Sequence, residues 1–327
     1  MRRREFVAAL GGMAAFACAA RAERPEGVRR VGVLIYGAED DPVTETRVEG
    51  LREGLQRLDW VEGHNLALDF RFGAADPHRI RTGAKELIAL GPDVIVTGAA
   101  PATRAVLALT QTIPVVFVEV TNETGYGVSG SLARPETNST GITNLYLAIG
   151  ARWLEILKEA APHLSRIVLL FNPEFDSPAY LKAIMAAADA YHVATVPAPA
   201  RNSEEIESAI TAAAKEPDTG LLIVPPTPAF SDIRLIFRLA EQHRLPAIYP
   251  TRGFAAEGGL LAYGAVSSDL FVQAATYVDR ILRGARPSEL QVGFPTRFDL
   301  VVNLKAARAI GLEIPPKLIA RAAEVIQ

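Results

Sequence analysis

The sequence predicts an α/β protein of two lobes, each a parallel sheet wound with helices on both faces. Short β-branched runs alternate with amphipathic helical stretches from residue 31 onward, as expected for parallel strands buried on both faces. The alternation restarts midway, after a long loop over 121–138. The tail then holds two more strand–helix pairs, one expected for each lobe. Such a chain crosses between its lobes several times, and a multi-crossing hinge permits closure while restraining other motion.

In the first lobe, residues 31–36 form an apolar run of strand length. Val48, Leu51, Leu55 and Leu58 share one face of a helix over 43–58. Leu66, Leu68, Phe70 and Phe72 alternate as a strand. A helix over 78–90 ends at Gly91-Pro92. Strand 93–97, helix 101–110 and strand 114–118 follow. The second cycle reads helix 148–161, strand 165–171, helix 178–191, strand 193–196, helix 203–215, strand 220–224, helix 231–243 and strand 245–249. The tail reads strand 260–263, helix 269–282, strand 296–303 and helix 304–310. The lobes are expected to comprise 28–145 plus about 262–288, and 146–261 plus about 289–327.

The first twenty-two residues carry the export signal. Arg2, Arg3 and Arg4 precede an apolar run from Phe6 to Ala20, and Ala20-Arg21-Ala22 places small residues where a signal peptidase reads them. The run is too short to span a bilayer. Arg3-Arg4-Glu5-Phe6-Val7 resembles a twin-arginine leader, whose substrates cross the membrane folded. Ala15-Phe16-Ala17 is a poor lipobox, so lipid anchoring at Cys18 is not expected. The chain is therefore read as periplasmic.

Composition narrows the function. The 327 residues suffice for two domains, and 49% hydrophobic content supports sizeable cores. The leader holds four arginines and one glutamate, so the net charge of −3 becomes −6 once it is removed. An acidic protein is a poor partner for nucleic acid. The only cysteine, Cys18, lies in the leader, so the mature chain has no disulfide or thiol chemistry.

In open parallel sheets, ligands collect at the carboxyl ends of the strands. Those ends supply the candidate ligand-binding residues Tyr36, Thr97, Gly98, Ala99, Ala100, Glu119, Asn122, Asn144, Asn172, Tyr249, Arg252 and Tyr263. The turn from Thr97 to Thr103 runs from strand to helix with Pro101 in the first turn, an arrangement suited to an anion, although small residues there also simply make tight turns. Tyr249 and Tyr263 are suited to stacking on a ligand or to forming part of a wall.

No catalytic centre emerges. GxGxxG at 125–130 lies in a long loop without the strand and helix that a dinucleotide fingerprint needs. There is no Walker loop and no GxSxG elbow. The five histidines are scattered, without metal-ligand spacing. Asp40-Asp41 and Glu204-Glu205 read as helix caps and dipole complements. No cofactor, metal or catalytic residue is expected.

Across its whole length the chain resembles the ABC-transporter substrate-binding proteins of the tryptophan/tyrosine-binding-like group. The resemblance rests on RREFVAALGG at 3–12, GLQRLDWVEG at 54–63, SLARP at 131–135, TGITN at 140–144, PAIY at 246–249, GGLLAYG at 258–264, YVDRIL at 277–282, GFPTRFDLVVNLK at 293–305, LEIPP at 312–316 and RAAEVI at 321–326. It implies the type I periplasmic binding-protein fold, with two lobes closing on a small polar or aromatic solute. It also implies delivery to a membrane permease and its ATPase without chemistry, and a carrier that must close and dock is expected to be a monomer. By the same resemblance the turn 97–100, Asn144, Asn172, Tyr249 and Tyr263 form the pocket. Where relatives often read Gly-Asp-Pro-Val, this chain reads Thr121-Asn-Glu-Thr124, so Asn122 replaces a carboxylate that could hold an amine. The alternatives are that Glu119 or Glu123 takes that role, or that the ligand carries no ammonium. A sensing protein feeding a membrane receptor, and an exported α/β enzyme, are the other two readings.

Overall fold

The computed structural model describes residues 27–120, 130–131, 134–135, 138–144, 146–173, 178–225 and 233–327. The leader, Cys18, Asn122, Glu123 and most of the GxGxxG segment lie outside these residues.

Two separate sheets form the two lobes. The first is built from β1 (Arg29–Ile35), β2 (Leu66–Phe72), β3 (Val94–Gly98), β4 (Val115–Val120) and β7 (Ser139–Thr143). They run in the order β2-β1-β3-β4-β7, all parallel. A small hairpin of β5 (Gly130–Ser131) and β6 (Arg134–Pro135) stands apart. Strand alternation divides the core into two layers. Val31, Val33 and Ile35 face helices α1 (Pro42–Gln56) and α9 (Ser267–Leu282). Leu34 faces α2 (Pro77–Ala89) and α3 (Ala100–Leu107).

The helix ends follow the sequence. Asp41 caps α1 by accepting from the Val43 N–H at 3.1 Å, and Asp76 caps α2 by accepting from His78 at 2.7 Å. The contact of α1 with α9 is close because of two glycines one turn apart. A Cβ at Gly50 would lie 2.4 Å from the Ser268 carbonyl oxygen, and one at Gly54 would lie 2.7 Å from both the Ala275 Cβ and the Val272 carbonyl oxygen. Only glycine admits that approach.

The second sheet contains β8 (Arg166–Phe171), β9 (Ala194–Pro199), β10 (Thr219–Ile223), β11 (Ala247–Tyr249), β12 (Leu261–Ala265), β13 (Phe298–Asn303) and β14 (Glu324–Ile326). Its order is β14-β13-β12-β11-β10-β8-β9, and β12 against β13 is the antiparallel pair. One face is covered by α4 (Ile149–Ala160), α5 (Pro178–Ala187), α10 (Leu304–Ile310) and α11 (Pro316–Arg321). The other is covered by α6 (Ser203–Ala213), α7 (Ile233–Gln242) and the short α8 (Gly253–Ala256). The outer strand β9 uses the amides of Ala194 and Ala200 toward its neighbour. That register turns positions 195, 197 and 199 outward, and two of these are Pro197 and Pro199.

The tail differs from expectation. The strand expected to return to the first lobe is β12, and it pairs with β11 and β13 of the second sheet. Only α9 returns. Residues 139–143, read as the end of a loop, form β7 beside β4. Among the described elements the chain therefore passes between the sheets three times: between β7 and α4, at Val266, and between Leu290 and β13. The third crossing stays with the first lobe as far as Gly293. There its N–H reaches the Gly141 carbonyl at 2.8 Å, and its carbonyl receives the Thr143 N–H at 3.0 Å. Among the described residues no helix is long and apolar enough to cross a membrane.

Candidate functional site

The carboxyl edge of the first sheet is a strained edge. Of the eight described non-glycine residues with positive φ, four (Ala74, Ala75, Ala99 and Glu119) stand just beyond or at the ends of β2, β3 and β4. Ala99 has φ 71° and ψ 157°, a region that is essentially glycine's own. Its N–H donates to the Val118 carbonyl at 2.9 Å. The turn is held from beneath. Thr97, fully buried, shares a hydroxyl–hydroxyl bond of 2.8 Å with Thr103, whose hydroxyl also donates to the Ala99 carbonyl at 3.1 Å. Thr97 therefore shapes the turn from inside the lobe. Gly98 lies against the Phe271 ring, and Ala99 and Ala100 are half-buried at the start of α3. Tyr36 is half-buried, packs toward the α2–α3 layer and accepts the Ala75 N–H through its carbonyl at 2.9 Å.

Glu119 sits in a bulge of β4 with φ 61°. Its carboxylate pairs with Arg47 of α1 at 2.7 Å and accepts from the Ser267 hydroxyl. The carboxylate considered for a ligand's amine already holds two partners. Sequence alone does not point to Arg47 or Ser267, because a lone helix arginine and a helix-start serine carry no signal there.

The first crossing brings Asn144 and Tyr146 together. The Asn144 carbonyl accepts from the Tyr180 hydroxyl at 2.9 Å, and that hydroxyl accepts from the Tyr146 N–H at 3.3 Å. Burial pushes the Tyr180 phenol up to about 12. The Asn144 side-chain oxygen is buried with no hydrogen-bond partner among the described residues.

Tyr146 is more than one-third exposed and packs on Phe298 with centroids 5.4 Å apart. Phe298 in turn lies on Tyr263, centroids 5.9 Å apart and planes 19° from parallel. The Trp153 indole N–H fixes the Tyr263 carbonyl at 2.7 Å. Arg152 beside them has its guanidinium pKa raised, first by hydrogen bonding with Glu155 and then with Tyr263. Asn144 and Tyr263 are thus placed at the crossings with an aromatic stack that reading the strand ends did not include. Tyr146 and Phe298 lie just outside or at the start of an element, where period gives no sign of orientation.

Other candidates fall elsewhere. Tyr249 is fully buried between Phe237 (5.1 Å, edge-on) and Phe254 (6.2 Å), and burial raises its phenol strongly. It belongs to the core on the α6–α7 face. Arg252 is turned to the sheet flank, 2.6 Å from Glu324 and 3.9 Å from Asp299. Asn172 is buried at the end of β8. The roomier surface hollows lie away from the crossings. One of about 660 Å³ borders Arg29, Asp93 and Asn138 at the amino edge of the first sheet. Another of about 530 Å³ lies between β9 and α6. No group of three metal-ligating side chains occurs among the described residues.

Comparison with known proteins agrees with this architecture. A solved Vibrio cholerae domain shares 28% identity and a TM-score of 0.74, covering 91% of this chain and 99% of that one. A Streptococcus pneumoniae ABC domain in complex with L-Trp has 22% identity and a TM-score of 0.75, covering 91% and 100%. The ligand-free, open structure of a Clostridium difficile substrate-binding protein with adhesive properties has 21% identity and a TM-score of 0.76, covering 92% and 100%. The tyrosine-binding protein of Clostridioides difficile (strain R20291) is 22% identical over 276 residues, 84% of this chain and 79% of that protein. Residues 32–326 match the family described as ABC transporter substrate binding protein. The chain belongs to that family: it is an ABC transporter substrate-binding protein, a binding component that works outside the cytoplasm with membrane permease and ATPase partners.

Proposed function

We propose that this protein is a periplasmic monomer, exported through its twin-arginine-like leader, that closes its two lobes on a small solute with a flat, aromatic part. The observation that carries this reading is the buried Asn144 oxygen, without a partner among the described residues, two positions before Tyr146 of the Tyr146–Phe298–Tyr263 stack. A buried acceptor without a donor is costly until one arrives, and an aromatic surface at the crossing favours a planar guest. Such a pairing of apolar wall and few polar groups is typical of small-molecule sites. The relatives that bind tryptophan and tyrosine make aromatic amino acids the first solutes to try. The solute leaves unchanged, since binding alone serves transport.

A thermal-shift screen of the purified protein against a metabolite set including L-tryptophan and L-tyrosine tests this. A true solute raises the melting temperature by mass action and is recovered intact. Chemical conversion of the bound compound, or stabilisation only by non-planar solutes such as sugars, would overturn the reading.

A further inference from the structure

Arg47 is the centre of a closed ring of contacts. One guanidinium nitrogen lies 2.7 Å from Glu119, Nε donates to the Ser267 hydroxyl at 2.9 Å, and Ser267 donates to the other Glu119 oxygen. The side chains of Arg47 and Glu119 are only 19% and 12% exposed. Three distant parts of the chain meet here: the second turn of α1, the bulge at the end of β4 and the first residue of α9. Ser267 is separated from the last residue of β12 by Val266 alone. The ring is therefore seated where the chain passes from the second sheet to the first.

The surrounding structure limits what this crossing can do. The glycine contacts of α1 bind α9 to the first lobe along its length. On the other side, β12 is paired with two strands of the second sheet. At this crossing, rotation between lobes is thus confined to the Ala265–Val266 backbone. Val266 also donates to the Arg297 carbonyl at 3.2 Å, which couples this crossing to the third. Glu119 itself is held in left-handed backbone, a costly conformation that persists when surrounding contacts over-determine it. A planar guanidinium can satisfy a carboxylate and a hydroxyl together, which an ammonium does less well.

We propose that Arg47 is a positioning residue for lobe closure. By fixing Ser267 to the carboxyl edge of the first sheet through Glu119, it sets the pivot of the second crossing and the balance between open and closed forms. The inference rests on the reading of two closing lobes and not on which solute they hold.

The test is a distance measurement by pulsed electron resonance. Spin labels are placed at Arg81→Cys on α2 and Lys182→Cys on α5 in the full chain with Cys18→Ser. Without solute, Arg47→Ala and Ser267→Ala should each shift the interlobe distance distribution, changing the open-to-closed ratio about fivefold. Arg47→Lys should fall between them and the parent. A purely structural role would lower the melting temperature and leave the distribution unmoved. Parent-like distributions in both Ser267→Ala and Arg47→Lys would overturn the proposal, and these two mild variants decide it should Arg47→Ala fail to fold. A parent distribution that ignores added L-tryptophan and L-tyrosine counts against those solutes, while the variant comparison still judges Arg47.

Discussion

Tyr263 and Phe298 are diagonal neighbours across the antiparallel pair of β12 and β13. Tyr263 opposes Leu300, Phe298 opposes Ala265, and their rings overlap at 5.9 Å. Diagonal aromatic contacts of this kind stiffen a strand pair. Here the contact also presents Phe298 to Tyr146 from the first crossing. Two of the three passages between lobes therefore meet through one ring.

Replacing that ring should uncouple binding from folding only partly. Phe298→Ala is expected to weaken binding of the solute found in the thermal-shift screen about two- to tenfold, from the roughly 0.5–1.5 kcal/mol that an aromatic pair contributes beyond burial. Phe298→Leu should retain stability better than the alanine variant yet still lose affinity. Titration calorimetry on both, beside thermal melts, separates the two effects. Unchanged affinity in both would remove this stack from the site.

Asn144→Leu carries an opposite signature for stability. The side-chain oxygen has no donor among the described residues, so its removal should leave the melting temperature unchanged or raise it by the equivalent of about 1 kcal/mol. The backbone carbonyl keeps its bond to Tyr180. Solute-induced stabilisation should fall in the same variant. A large loss of stability without solute would show the oxygen to be satisfied after all.

Ala99→Gly should be neutral or stabilising, by about 1 kcal/mol. The φ of 71° and ψ of 157° cost alanine about 1–3 kcal/mol, which exceeds the extra unfolded-state entropy of glycine. Urea denaturation midpoints of parent and variant decide the sign.

Alkaline pH should weaken the fold through buried tyrosines. Tyr180 is raised from 10.0 to about 12 by burial, and Tyr249 is raised in the same direction. The folded state holds these protons more tightly than the unfolded chain. Stability is therefore intact below pH 10 and declines as pH rises toward 12, at about 1.4 kcal/mol per unit for each tyrosine. Tyr249→Phe should flatten that decline, read from urea midpoints at pH 8, 10 and 11. Equal slopes in parent and variant would refute the assignment.

Much of this architecture is legible in the sequence because parallel strands and covering helices write strong periods. The run from Val31 to Ile35 and the face of Val48, Leu51 and Leu55 are found where their periods place them. The failures have physical causes. Residues 139–143 have a short, glycine-interrupted pattern, and their strand exists through pairing with β4. β14 has three residues and depends on β13. Tyr249 stands among the strand-end residues in sequence, yet a residue within a strand points to one sheet face or the other. Its alternation with Ile248 sends it into the α6–α7 layer. Glu119 shows the limit most clearly, since nothing local announces an arginine 72 positions earlier or a serine 148 positions later.

Pro197 and Pro199 occupy the outward amide positions of β9 and so withdraw two donors from the open rim of the second sheet. A neighbouring copy looking for a strand to extend finds little there to grip. Crowded copies are thus kept from joining sheet to sheet along this rim.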